Sequence, residues 1–195
     1  MKLLFKTITI ASAFVASPVL AAGWTLNPDA SHLAYGTVKI DDVGEVNSFT
    51  NLSGHVSDDG RVEIDIDLSS VETNIDIRNE RMIEHVFRKA ATATLTAEID
   101  LDEVSKLDVG SSNTVEVDAK LSLAGTEMDF YTDMFILRVT EDAVMVSTND
   151  MVFISTEDAG VSAGVDKLME LAQLPSITRT VPVTARLMFS LDSQT

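Results

Sequence analysis

Apolar and polar residues alternate strictly in four stretches of the chain. Val62, Ile64, Ile66 and Leu68 interleave with Glu63, Asp65 and Asp67, and Leu95, Ala97, Ile99 and Leu101 interleave with Thr96, Glu98 and Asp100. Val115, Val117, Ala119, Leu121 and Leu123 share one face against Glu116, Asp118, Lys120 and Ser122, and Val181, Val183, Ala185, Leu187, Phe189 and Leu191 form another face near the C-terminus. A period of two places one face on a core and the other in water, which predicts antiparallel strands. Two stretches change period. Met82, Ile83, Val86 and Phe87 follow helical spacing after the candidate caps Asp76 and Asn79. Val165, Leu168, Met169 and Ala172 fall at i, i+3, i+4 and i+7, with Ser162 as candidate N-cap and Pro175 beyond the end. Strands at near-regular spacing with two short helices predict an all-β chain closed into an antiparallel barrel. Asp41-Asp42 and Asp58-Asp59-Gly60 read as turns, the latter as a hairpin connection beside the Arg61–Leu68 strand. No repeat or linker divides the chain.

Composition changes this picture in two places. The 31 Asp and Glu against 14 Lys and Arg give a net charge of −17. Such a polyanion repels phosphate backbones, which argues against nucleic-acid binding. Much of the acid falls on the wet faces of the predicted strands. Cysteine is absent, which excludes disulfides, a thiolate nucleophile, Cys-ligated metals and a lipid-modified N-terminal cysteine. The first residues have the layout of a cleavable secretory signal: Lys2 and Lys6, an apolar stretch from Thr7 to Ala16, Pro18, then Val19 and Ala21 at the −3 and −1 positions. Residues 1–21 are therefore expected to be removed after Ala21. The mature chain, 22–195, would lose two lysines and no acids and carry −19. The apolar run is shorter than the roughly 20 residues that a spanning helix needs, so no stable membrane anchor is expected.

Candidate chemistry is thin. Gly160-Val161-Ser162-Ala163-Gly164 matches G-x-S-x-G between an apolar run and a helix, the local context of a hydrolase nucleophile. That machinery requires a histidine after the serine, and His32, His55 and His85 all precede Ser162. The histidines show no metal-binding spacing, so neither metal nor catalytic residues are expected. There is no glycine-rich phosphate loop. Met82, Phe87, Met134, Phe135, Met145, Met151, Phe153, Met169, Met188 and Phe189 form a soft apolar inventory, suited to irregular or adaptable surfaces. A barrel of this size is either filled by such side chains or holds one ligand.

Several motifs, in order, resemble the YceI-like family of exported lipocalin-like barrels. They are Trp24-Thr25-Leu26-Asn27-Pro28 with Ser31, Leu33 and Tyr35, then Phe49 and Gly54, and Thr73 to Met82 with Phe87. Leu121-Ser122-Leu123-Ala124-Gly125, Gly164 to Leu168, Leu174 to Ile177 and Val181-Pro182-Val183 complete the set. The sequence departs from the family pattern at Ala30, Lys39, Asn79 and Ala91-Thr92, changes that touch head-group contacts more than the fold. The resemblance implies an eight-stranded antiparallel barrel over residues 22–195, in the periplasm. It implies a bound isoprenoid chain, polyprenyl or quinone-type, with no other cofactor and no catalysis, and it leaves a homodimer open. A filled structural or stress-related barrel, and a hydrolase using Ser162, are the alternatives. On the carrier reading, Met82, Ile83, Phe87, Leu168 and Met169, the apolar faces of the two helices, are expected to line or cover the tunnel.

Overall fold

The computed structural model describes residues 23–192; the expected signal segment lies outside them. Its strands are β1 (Trp24–Leu26), β2 (His32–Lys39), β3 (Val43–Phe49), β4 (Leu52–Val56), β5 (Arg61–Asp67), β6 (Val71–Glu72) and β7 (Thr92–Glu98). They continue with β8 (Ser112–Leu123), β9 (Thr126–Thr140), β10 (Ala143–Thr148), β11 (Val152–Ser155) and β12 (Thr180–Leu191). Four of the eight barrel staves are interrupted strands: β1 with β2, β3 with β4, β5 with β6 and β10 with β11. Every neighbouring pair is antiparallel and follows chain order, and β12 closes the ring against β1 and β2. The architecture is a closed eight-stranded antiparallel barrel.

The seam shows why the chain opens as it does. β12 runs unbroken while its partner stave bends between β1 and β2. Leu26 pairs with Phe189 and His32 with Arg186, leaving Leu187 and Met188 between the two ladders. The bend is the 3₁₀ turn Pro28–Ala30, capped by the Asn27 side chain, which accepts from the Asp29 and Ala30 amides. Across the gap the Asn27 amide donates to the Met188 carbonyl at 2.8 Å, and the Met188 amide donates to Ser31 Oγ at 3.0 Å. Asn27-Pro28 and Ser31 thus supply the hydrogen bonds that the broken strand cannot.

The alternating faces read from the sequence point inward. Val62, Ile64, Ile66, Leu95, Ala97 and Ile99 all face the barrel interior, as do the apolar faces of β8 and β12 through Leu123 and Phe189. Asp58-Asp59-Gly60 is the β4–β5 turn, with Gly60 at φ +85°. The β2–β3 connection turns through Ile40 and Asp41, both at positive φ, one residue earlier than Asp41-Asp42.

The helices depart from expectation. α1 (Asp76–Arg81) runs straight into a π-helical turn, Met82–Val86. Neither Asp76 nor Asn79 caps it. Ile75 is the N-cap, Asp76 is the first helical residue, and Asn79 points back to accept from Thr73 Oγ1 at 2.6 Å and the Thr73 amide at 2.9 Å. α3 (Ser162–Ala172) begins at Ser162, and Val161 occupies its cap position. Ser162 Oγ lies 2.9 Å from Thr156 Oγ1, so the hydroxyl is used in tertiary contact and not as a cap. The helix ends at Gln173 in the left-handed region, two residues before Pro175. A third, one-turn helix, α2 (Asp102–Ser105), follows β7; no periodicity can announce a segment of four residues.

α3 packs on the π-turn. A Cβ at Gly164 would lie 2.4 Å from the His85 carbonyl oxygen and 2.5 Å from Val86 Cα. The second glycine of the G-x-S-x-G pattern is therefore a close-packing residue. α1 is tied to the β2–β3 hairpin by charge: Glu45 accepts from Arg78 through both oxygens, at 2.8 and 3.2 Å, and from Lys39 Nζ at 2.7 Å. Partial burial pushes the Glu45 carboxyl up, but the hydrogen bonds and positive charges of Lys39 and Arg78 outweigh it and hold the group below its usual range. Among the described residues no helix is long and apolar enough to cross a membrane.

Gly164→Val should destabilise the fold by about 1–3 kcal/mol through overpacking at the helix contact, whereas Gly44→Ala, whose Cβ meets open space, should change little. Thermal melts of the two variants check this, with a drop of roughly 2–4 °C per kcal/mol expected for the first. The lowered Glu45 value makes its tie a neutral-pH contribution, present above the ordinary carboxylate pKa of about 4.5 and lost as pH falls through the lowered value. Glu45→Gln should therefore melt below the parent at pH 7, and the gap should close in acid; a gap independent of pH would contradict the assignment.

Candidate functional site

The inward faces do not fill the barrel. They enclose one continuous cavity of about 570 Å³ whose walls are overwhelmingly aliphatic and aromatic. Close-packed interiors leave few voids larger than a water molecule, and this volume lies within the range of ligand sites. Small residues leave the space: Ala93, Ala97, Ala119 and Ala185 stand at inward positions where larger side chains would meet across the barrel.

The two ends differ. At one end Val104 of α2 packs with Ile136 and Val144 beside Trp24, and the Arg138 guanidinium lies 5.7 Å from the Trp24 ring centroid. At the other end the lining reaches solvent. Ile75 and Ile77, 43% and 51% exposed, line the cavity just before and within the first turn of α1, and exposed Ala172 lines it at the end of α3. The segment after α3 is stitched to the β2–β3 hairpin here. The Ile40 amide donates to the Ser176 carbonyl, the Thr178 amide to the Val38 carbonyl, and Ser176 Oγ to Asp41 Oδ1. The mouth is thus framed by the start of α1, the end of α3 and the tip of the hairpin.

Polarity rises in steps towards that mouth. Three directly opposed pairs on β2 and β3 face inward: Leu33 with Phe49, Tyr35 with Asn47, and Thr37 with Glu45. The deepest pair is apolar, and the Tyr35 and Phe49 rings lie 5.6 Å apart, with Phe87 5.9 Å beyond Phe49. The middle pair is polar and neutral. The outermost carries Glu45 with its partners Lys39 and Arg78, and Arg81 also lines the space. Asn47 is only 4% exposed, and its Nδ2 donates to Thr37 Oγ1 at 3.2 Å. Its Oδ1 and the Tyr35 hydroxyl are buried and have no hydrogen-bond partner among the described residues. Burial pushes the Tyr35 phenol far above its ordinary value, against the opposing pull of the nearby Arg78 charge, so it stays neutral.

The five residues expected at the tunnel divide between two layers. Met82, Phe87 and Leu168 line the cavity. Ile83 packs against the core without lining the cavity, and Met169 lies outside the lining with its sulfur 3.3 Å from an Arg179 nitrogen. The wider Met and Phe inventory is a poor guide. Phe135, Met145 and Met188 lie outside the lining, and Met151 and Phe153 are exposed on the outer surface. Of that inventory Met82, Phe87, Met134 and Phe189 line the cavity, and most of the wall is Val, Ile, Leu and Ala. The polar pairs were not anticipated, although Tyr35, Thr37, Glu45 and Asn47 sit at inward positions of alternating strands, which is the signal that marks them. Ser162 has Thr156 as its hydroxyl partner, and no histidine hydrogen-bonds to it. Among the described residues no group of three or more His, Asp or Glu is placed to hold a metal.

Comparison with known proteins agrees with this architecture. The family model for the YceI-like domain matches residues 24–189. A solved structure of a polyisoprenoid-binding domain from Saccharophagus degradans, implicated in plant cell wall breakdown, is 34% identical, covering 87% of this chain and 98% of that one with a TM-score of 0.85. Burkholderia cenocepacia BcnA is 12% identical over 84% of this chain and 98% of its own, with a TM-score of 0.61. A Campylobacter jejuni YceI protein is 15% identical over 76% and 85%, with a TM-score of 0.55. These two share the fold. No curated protein matches the chain significantly. With the family pattern matched from β1 into β12, around a barrel whose interior is a cavity, the chain belongs to the YceI-like domain family.

Proposed function

We propose that this protein is an exported carrier that holds a single isoprenoid chain, polyprenyl or quinone-type, inside its barrel without transforming it. The observation that carries the reading is the cavity: about 570 Å³ of apolar-walled space with one solvent-reaching end. A filled structural barrel would not leave it. The polyisoprenoid-binding domain of S. degradans, 34% identical, supports the ligand class. The apolar walls favour a long hydrocarbon, since each buried methylene-sized group contributes roughly 0.8 kcal/mol. A few isoprene units then outweigh the cost of association.

The two helices serve as one wall and its backing. Met82, Phe87 and Leu168 would touch the chain, while Ile83 packs against the core behind them and Met169 lies outside the lining beside Arg179. Export to the periplasm rests on the signal layout of residues 1–21, and the high acidic charge keeps the exterior wet and soluble. Binding without catalysis agrees with Ser162, whose hydroxyl is engaged with Thr156.

Native purification followed by mass spectrometry of the extracted lipid tests the reading directly, and an isoprenoid in about one copy per chain is expected. Filling the tunnel with Ala97→Phe and Ala185→Phe, both at half-buried inward positions, should remove the lipid while a cooperative melt persists. Absence of any isoprenoid from the parent protein, or undiminished lipid in the filled variant, would refute the carrier role.

A further inference from the structure

Exposed apolar side chains collect beside the cavity mouth. Among the described residues eleven large hydrophobic side chains are exposed, and six of them belong to two segments that border it. Val38, Ile40, Val43 and Val46 lie on the turn half of the β2–β3 hairpin, and Ile75 and Ile77 at the start of α1. The ion pair between Arg78 and Glu45 holds the two segments side by side. Ile75 and Ile77 also line the cavity, so the apolar rim continues into the barrel wall. Grouped exposure of this kind marks a surface that another body covers.

Ile40 makes the grouping costly. It is 47% exposed in the hairpin turn, and its backbone holds φ +54°. A β-branched residue rarely adopts that left-handed conformation, which glycine and asparagine tolerate far better. The side chain neither lines the cavity nor joins the core cluster. Folding alone would favour asparagine here, on grounds of both strain and exposure. Strain held at an exposed tip points to a role outside the folded core.

The chemistry of the rim selects the partner. Its exposed apolar side chains are Val and Ile alone, without the aromatic anchors on which protein interfaces concentrate their energy. Aliphatic groups make no directional demands and suit hydrocarbon, and interfacial binding grows with the apolar area buried. The nearby charges do not suit an anionic surface. Asp41, Asp42, Asp76 and Glu80 are exposed around the rim, while Lys39 and Arg78 are both paired with Glu45. Among the described residues Arg81 is the cation of the lining left without an ion pair. The whole chain carries −17, so anionic lipid repels it.

We propose, resting on the carrier reading, that the β2–β3 hairpin tip and the start of α1 seat the cavity mouth on a bilayer surface without net charge. The isoprenoid then passes between membrane and barrel along an apolar path and need not cross water. Ile40 and Val43 enter the surface first, and Ile75 and Ile77 join it to the cavity. The exposed carboxylates keep the contact shallow and brief, as a carrier that must leave again requires. They also steer the protein away from anionic lipid.

The test loads delipidated protein with geranylgeraniol and follows its delivery to an excess of phosphatidylcholine vesicles, by native mass spectrometry of the protein at intervals. Delivery by contact should quicken in proportion to vesicle concentration, whereas delivery through water is limited by dissociation and stays constant. Replacing part of the lipid by phosphatidylglycerol should slow delivery at low salt, and added salt should restore it. The Ile40→Asn, Val43→Thr variant should deliver about tenfold more slowly at equal vesicle concentration, for the loss of two apolar side chains from the contact. Its affinity for geranylgeraniol offered in solution should be unchanged. Ile40→Asn alone should melt above the parent, because the left-handed strain is relieved. A lower melt would give Ile40 a packing role and overturn the proposal. So would delivery independent of vesicle concentration, or undiminished in the double variant, which would leave the tip to a protein partner or a second copy and the carrier intact. Failure of the parent protein to bind geranylgeraniol at all would sink the carrier reading and bilayer seating with it.

Discussion

Ring closure is the constraint on which the rest of the molecule depends. β12 pairs with β10 and β11 on one side and with β1 and β2 on the other. Once it does, every inward residue of every stave faces the same enclosed space. Period-two alternation then ceases to be a local property, because all inward side chains compete for one volume. The volume is set by their summed size, and alanines at inward positions of β7, β8 and β12 leave it unfilled. Closure also explains the effort spent at the β1–β2 bend. A ladder broken there without Asn27 and Ser31 would leave Met188 unpaired on the one strand that joins both edges.

Within that ring the sequence was most legible where one rule acted alone. The inward faces of β5, β7, β8 and β12 follow directly from Val62–Leu68, Leu95–Ile99, Val115–Leu123 and Val181–Phe189, since burial on one side suffices to specify them. Legibility failed where two rules competed. Asn79 and Ser162 have the chemistry of caps, but each finds a tertiary partner, Thr73 or Thr156, that local spacing does not reveal. Of the helix residues expected at the tunnel, the spacing placed all five on apolar faces. It could not say which layer each would occupy, so Ile83 packs behind the wall and Met169 lies outside the lining beside Arg179. The polar pairs on β2 and β3 are hidden in the sequence for another reason. A polar residue at an inward position weakens the very alternation by which strands are found.

The G-x-S-x-G pattern illustrates how a motif can be real and yet not chemical. Gly160 adopts positive φ, and a Cβ there would lie 2.2 Å from Thr126 Oγ1. Gly164 admits the backbone of His85 and Val86. Both glycines are demanded by close approach, one against β9 and the other against the π-turn. The serine between them links Thr156, at the end of the barrel wall, to the first turn of α3. The motif is the joint by which the wall carries its helices, and so it fixes one side of the cavity mouth.

The chain's one tryptophan, Trp24, lines the cavity at the end opposite the mouth, beside the Arg138 guanidinium and the Val104 cluster. Its position gives the protein a built-in optical depth gauge. Indole emission responds to polarity and packing at the far end alone, a barrel's length from the polar pairs on β2 and β3. Guests with tails long enough to reach the bottom would be distinguished by colour and intensity from shorter ones, whatever their head groups. Loading depth can therefore be followed in solution without a label.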